Sequence, residues 1–203
     1  MTTPATTAVH VVYAHPSERG FTREVLGAFL DGLADAGRPY TVSDLYAMDF
    51  RSELTRAEYE RESGYDAEAP VPDDVAAEQA RLAAADTWVF VYPVWWADCP
   101  ARLKGWFDRV WTVGFARRTV GEPRLVEKAL VLCTAGYDIA ELEASGCYRA
   151  MRTVMLTDRI GERARTSEFV LLGGSASASA SASGWQVLKA EHLARAKALA
   201  RSV

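Results

Sequence analysis

Residues Ala8 to Thr22 read AVHVVYAHPSERGFT. The first half, Ala8 to Ala14, is apolar and rich in β-branched residues, which suits a strand buried on both faces of a parallel sheet. HPSERG is a turn. Directly after it Phe21, Val25, Phe29 and Leu33 recur every four residues, with Leu26 and Leu30 beside them, so the spacing predicts an amphipathic helix. Gly37 and Pro39 end that helix, and Tyr40 to Leu45 supplies a second strand. Strand, turn, helix, strand is the opening of a doubly wound α/β sheet. The turn itself is not GxGxxG, so a dinucleotide-binding Rossmann reading loses its main support. Nor is it GxxxxGK(S/T), which removes the P-loop reading.

The pattern continues outward. A polar excursion, Tyr46 to Val71, precedes an alanine-rich helix over Asp74 to Ala84 that Pro72 and Asp73 cap. Thr87–Tyr92 (TWVFVY), Lys128–Thr134 (KALVLCT) and Glu168–Leu172 (EFVLL) are the third, fourth and fifth strands. Between them fall a helix starting at Pro100, a helix over Tyr148 to Leu156, and a closing helix over Trp185 to Ala200. The expected fold is a single α/β domain over residues 1–203, a three-layer sandwich on a five-stranded parallel sheet. SASASASASG, Ser175 to Gly184, has no apolar group to pack and is expected to be a flexible loop.

Composition narrows the function. The net charge of −4 argues against non-specific nucleic-acid binding, which wants a basic face. No apolar run approaches the ~20 residues of a membrane span, and MTTPATTA lacks the basic and apolar regions of a signal peptide. Cys99, Cys133 and Cys147 have neither paired nor metal-like spacing, so reduced thiols in the cytoplasm are expected, with no metal site.

In an open α/β sheet, ligands sit beyond the carboxyl ends of the strands. Three segments reach that edge. After strand one, AHPSERGFT meets a helix N-terminus that favours a phosphate, with His15, Ser17, Arg19 and Thr22 adding polar or cationic groups. After strand three come Pro93, Val94, Trp95, Trp96 and Ala97. Two consecutive tryptophans in an extended chain cannot both enter one core, so at least one faces a ligand or partner. A flat aromatic wall suits a planar heterocycle. Phe107 and Trp111 fall instead on the core side of the following helix. After strand four, Thr134, Ala135, Gly136 and Tyr137 offer a close backbone approach and a hydroxyl. A phosphate-bearing planar cofactor, a flavin, fits these three segments together.

Several stretches carry a family resemblance: AHPSERGFT (Ala14–Thr22), SDLYAMDF (Ser43–Phe50), DVAAEQARLAAAD (Asp74–Asp86), PVWWADCPARLKGWFDRVWTVGFA (Pro93–Ala116) and, downstream, MRTVMLTDRIG (Met151–Gly161). The chain resembles the NAD(P)H:quinone oxidoreductases, flavoproteins of flavodoxin-like fold. The resemblance implies that His15, Ser17, Arg19, Phe21 and Thr22 surround the flavin phosphates. It implies that Pro93, Val94, Trp96 and Ala97 hold the isoalloxazine ring, and that Thr134, Ala135, Gly136 and Tyr137 follow its other side. It further implies FAD or FMN as cofactor, with the long excursion favouring FAD, NAD(P)H as co-substrate, a quinone-like substrate, and a homodimer with its site at the interface.

Three departures stand out. TAGY replaces the family's frequent TTGG after strand four. No histidine occurs between His15 and His192, so the tyrosine–histidine relay of the vertebrate enzymes is missing, and Tyr137 or Tyr148 is left to give proton help, Tyr137 being the first choice. GFARRTVG, Gly114 to Gly121, carries Arg117 and Arg118 where the vertebrate quinone pocket has aromatics. Azo or nitro reduction, a redox step in natural-product biosynthesis, and a regulatory flavoprotein bound to a potassium-efflux system stay open as alternatives.

Overall fold

A computed structural model describes residues 8–117, 126–176 and 182–203. Five strands form one sheet: β1 (Val9–Tyr13), β2 (Tyr40–Asp44), β3 (Thr87–Pro93), β4 (Val126–Thr134) and β5 (Ala164–Leu172). All pair in parallel, in the order β2-β1-β3-β4-β5. The order reverses between β1 and β3. A crevice therefore opens at their carboxyl ends, because the chain leaves the two strands toward opposite faces.

The helices are α1 (Phe21–Asp35), α2 (Arg56–Ser63), α3 (Asp73–Ala84), α4 (Ala101–Val110), α5 (Ile139–Ala144), α6 (Cys147–Thr153) and α7 (Ala182–Leu199). Strand alternation sorts the core into two layers. Val9, Val11, Val89, Val91, Leu130 and Leu132 pack under α1 and α7 with Val25, Phe29, Leu33 and Ala196. Val12, Trp88, Phe90 and Tyr92 face the other way, onto α3, α4 and α6 through Leu82, Leu103, Trp106 and Met151. The result is the expected three-layer α/β sandwich.

The second layer is laced with buried polar groups. His10 Nδ1 lies 2.7 Å from Thr41 Oγ1, and Nε2 lies 3.3 Å from Ser43 Oγ. Ser43 donates to Glu78 Oε1 at 2.8 Å, so its oxygen is left to accept from Nε2–H of His10. The indole of Trp106 donates to Glu78 Oε2 at 2.8 Å. A second cluster binds the excursion to the body. Arg109, fully buried, donates to Glu58 Oε1 (2.7 Å), to both oxygens of Asp74 (2.5 and 2.9 Å) and to the carbonyl of Arg51 (3.0 Å). Gly105 lets the same excursion touch α4, since a Cβ there would collide with the backbone of Ser52.

The structure adds to and shifts some of the expected elements. Two short helices, α5 and α6, stand between β4 and β5, and α6 continues as a π-helical segment over Val154–Ile160. The closing helix starts at Ala182, three residues ahead of Trp185. Ser175 and Ala176 are tied down, their N–H groups donating to the carbonyls of Ala135 and Gly136. The rest of the serine–alanine stretch, 177–181, lies outside the described residues, as does Arg118.

Candidate active site

The loop after β1 is organised by its own side chains. Ser17 N–H donates to His15 Nδ1 at 3.0 Å, and Arg19 N–H donates to Ser17 Oγ at 3.1 Å. Gly20, at φ 109°, precedes α1 without any side-chain cap on the helix. A side-chain-capped N-terminus would have part of its N–H array occupied; here that array and the helix dipole are left for an anion. Ser17 and Arg19 are exposed beside it. Phe21 and Thr22 turn their side chains elsewhere. The Phe21 ring packs edge-on against Trp185 at 4.9 Å and near His192 at 5.7 Å. Thr22, buried, shares a 2.8 Å hydrogen bond with the Thr134 hydroxyl. Both side chains are thus turned away from the loop, and what these two residues present there is backbone.

The segment after β3 forms the other wall. Trp95 and Asp98 exchange both backbone hydrogen bonds, 2.9 and 3.0 Å. The two residues between them are left-handed, Trp96 at φ 52° and Ala97 at φ 58°. This is the tight mirror-image turn whose central positions normally go to Asn or Gly. Tryptophan and alanine there carry strain, of a kind that clusters at functional sites. The outcome is an indole held in the open: Trp96 is 101% exposed and Trp95 is 40% exposed. The neighbouring aromatics behave otherwise. Trp106 and Phe107 are buried, and Trp111 packs on both and on Trp88. The aromatic side chains of α4 are thus largely taken up by the core.

The third segment closes the site. Val94 N–H donates to the Thr134 carbonyl at 2.7 Å, locking the ends of β3 and β4 together. Gly136 approaches Ala176 closely, and the Tyr137 carbonyl accepts from Gly174 N–H at 2.9 Å. A cleft of about 750 Å³ runs between Val94–Ala97 on one side and Ala135–Tyr137 on the other, with Leu142 and Cys147 behind. Tyr137 stands at its rim, 68% exposed. The His15 ring lies 6.4 Å from that of Trp95, which joins the first loop to the second. A further cleft of about 690 Å³ opens on the β2 side of the first loop, lined by Tyr13, His15, Ser17, Arg23, Asp44 and Tyr46.

Sequence reasoning missed two residues. Asp98 follows the tight turn, and its carboxylate accepts from both terminal nitrogens of Arg159 at 2.8 and 3.1 Å. Arg159 comes from the π-helical segment and is nearly buried. An acid beside the tryptophan pair was a visible signal; nothing local could show which arginine meets it. Among the described residues no group of three or more His, Cys, Asp or Glu side chains is arranged to hold a metal ion.

The family described as having the flavodoxin-like fold matches residues 7–159. The chain belongs to that family. A solved NAD(P)H:quinone oxidoreductase from Methanothermobacter marburgensis is similar at 44% identity, with a TM-score of 0.86, over 97% of this chain and 96% of that one. A ribosyldihydronicotinamide dehydrogenase-like protein of Penicillium crustosum is 35% identical over 119 residues, 53% of this chain and 45% of the relative. The rat NAD(P)H dehydrogenase (quinone) 1 is 34% identical over 119 residues, 52% of this chain and 43% of the relative. The chain thus spans about half the length of the curated relatives it matches. An azoreductase from Bacillus anthracis, with a TM-score of 0.73 at 20% identity and covering 97% of this chain and 100% of that one, shares the fold.

Proposed function

We propose that this flavodoxin-like protein is a flavin-dependent oxidoreductase that passes reducing equivalents from NAD(P)H to a quinone or a related electrophile. The observation that carries the reading is the strained turn at Trp96 and Ala97, which sets an exposed indole beside a cleft large enough for a planar heterocycle. Within 20 residues of β1 the same sheet edge offers an uncapped helix N-terminus for a phosphate. The quinone oxidoreductase that matches nearly the full chain at 44% identity supports the same chemistry.

A flavin bound here would supply the redox chemistry, accepting hydride from NAD(P)H and delivering it to the electrophile. The chain's own residues bind and orient. The first-turn N–H groups of α1, with Ser17 and Arg19, hold phosphate. Val94 to Ala97 and Ala135 to Gly136 form the two walls for the ring; the N–H groups of Val94, Trp95 and Ala135 are spent within the fold, so those of Trp96, Ala97 and Gly136 would stabilise negative charge on it. We take the flavin to be FAD, because the cleft lined by Tyr13, Arg23 and Tyr46 leaves room beside the phosphate loop; FMN would leave that cleft to solvent. Tyr137, exposed on the rim of the same cleft, is our candidate to assist protonation of the electrophile.

We also take the active form to be a homodimer, with the exposed Trp96 covered at a two-fold interface. The protein is read as cytoplasmic, its three cysteines, Cys99, Cys133 and Cys147, being free thiols. Among the described residues no helix is long and apolar enough to cross a membrane.

The test is the absorption spectrum of the purified chain, mass determination of any released flavin, and NAD(P)H turnover with a quinone panel. A flavin spectrum with quinone turnover is expected. Failure to take up either FAD or FMN overturns the reading. Sedimentation at micromolar concentration tests the dimer separately.

A further inference from the structure

We infer that Arg159 is a positioning residue for the ring-binding turn: by clasping Asp98 it holds Trp96 and Ala97 left-handed. The inference rests on the proposed flavin site. Neither central residue favours the left-handed region on its own, so the turn needs support from outside its four residues. Asp98 is the only one of the four with a charged side chain, and all its described contacts serve the turn. Its Oδ1 accepts from Cys99 N–H at 2.7 Å, and both oxygens accept from Arg159 in a two-pronged pair. Such forked pairing fixes direction as well as distance.

Arg159 is in turn fixed more firmly than a surface arginine. Its side chain is 6% exposed, against 49% for Asp98. Its guanidinium sits 5.4 Å from the Phe107 ring centroid, with Nη1 also 3.2 Å from Cys99 Sγ and 3.3 Å from Met155 Sδ. Its carbonyl accepts from the Trp111 indole at 2.5 Å. The residue lies on the π-helical segment, a rare conformation that is frequent at functional sites. Arg163 closes that segment by donating to the carbonyls of Asp158, Arg159 and Ile160. A rigid arm thus runs from α4 through the π segment to the turn, across 61 residues of sequence.

The experiment uses the purified full chain with Arg159→Ala, Arg159→Lys, Asp98→Asn and the Ala/Asn double variant. Amide hydrogen exchange of the segment 94–99 is followed without added flavin, and FAD and FMN are titrated separately. Arg159→Ala and Asp98→Asn are each expected to speed exchange in 94–99 about tenfold or more while β3 and β4 stay protected. Each should weaken flavin binding by roughly tenfold. The double variant should be no worse than either single one, since both break one contact. Arg159→Lys should recover part of the affinity, a point charge replacing the fork. Unchanged exchange at the turn in Asp98→Asn, additive losses, or exchange rising equally through β3 and β4 in both single variants would overturn the inference. A wild-type chain that takes up no flavin defeats the proposed function instead, and the exchange result still decides the clasp.

Discussion

The two faces of the sheet are stabilised by different physics. Under α1 and α7 the buried residues are mainly aliphatic or aromatic, Val9, Val11, Phe29, Leu33, Leu130 and their neighbours, with the Thr22–Thr134 hydrogen bond at the site end of α1. Ion pairs on that side, such as Lys189 with Glu24 and Lys197 with Asp35, stay on partly exposed rims. Under α3 and α4 the core also encloses His10, Ser43, Glu78 and Arg109. The first face holds by area buried, which is non-directional. The second holds by groups that must meet at fixed distances, and it is the face that carries the excursion and the clasped turn. The difference teaches where geometry is needed: apolar packing suffices for a helix covering a sheet, while loops that build a site are anchored by directional contacts.

The largest effect should come from breaking the directional face at its centre. Arg109→Ala leaves the buried Glu58 with only the half-exposed Arg51 as its cation and frees Asp74, and removal of one partner from a buried ion cluster destabilises by about 3–5 kcal/mol. Urea unfolding measures it. A loss below about 1 kcal/mol would mean that the cluster merely decorates the excursion. On the apolar face, Leu33→Ala opens a cavity under α1 and should cost about 2–5 kcal/mol, equally at every pH. A pH-dependent penalty there would erase the contrast between the faces.

A third, smaller effect depends on pH. Burial, helped by the nearby Arg81 cation, depresses His10 from 6.5 to about 4. The unfolded chain therefore binds the proton first. The contribution is complete above pH 6.5, falls as pH drops through the interval down to about 4, and changes no further below it. Its limiting size is about 3 kcal/mol. His10→Gln should flatten urea midpoints between pH 6.5 and 5. Against the opposing effect of burial, the carboxyl of Glu58 is held low by the Thr55 hydroxyl and N–H and then by Arg109, that of Asp74 by Arg109, and that of Asp98 by Arg159 and the Cys99 N–H, so their losses come further down in pH. A wild-type midpoint that stays level from pH 7 to 5 would remove His10 as the sensor.

The apolar face is also the one that could be read from sequence. Val25, Phe29 and Leu33 announce α1 by spacing alone, and AVHVVYA announces β1, because burial area follows composition and period. The directional face could not be read this way. His10 looks like one residue in a strand, its partners Thr41 and Ser43 lie 31 and 33 residues away, and the Glu78 that Ser43 meets lies 35 residues beyond Ser43. The same holds within the site. The tryptophan pair was visible as an aromatic wall. The left-handed turn beneath it was not, because neither Asn nor Gly marks it and its anchor Arg159 belongs to a distant helix. Short α5 was hidden for another reason: six residues have too few turns for a period to show.

The smallest expected effect is at Tyr137, which belongs to neither face. It stands on the cleft rim and is largely exposed, so its side chain contributes little to stability. Its hydroxyl lines the proposed site and is a candidate proton donor there, whereas His10 is buried, His15 is engaged with the Ser17 backbone, and His192 Nε2 lies 3.0 Å from the Gly173 carbonyl. A positioned general acid typically contributes about 10²–10⁴-fold. An open rim, however, lets water deliver the same proton to a reduced electrophile. Tyr137→Phe should therefore leave flavin uptake intact and lower the electrophile half-reaction by about tenfold or less, near 1.4 kcal/mol. Stopped-flow measurement of the two half-reactions separates the effects, with the NAD(P)H half-reaction unchanged. A loss beyond roughly a thousandfold in the electrophile half-reaction would make Tyr137 an essential acid, and the rim a closed proton path rather than an edge open to water.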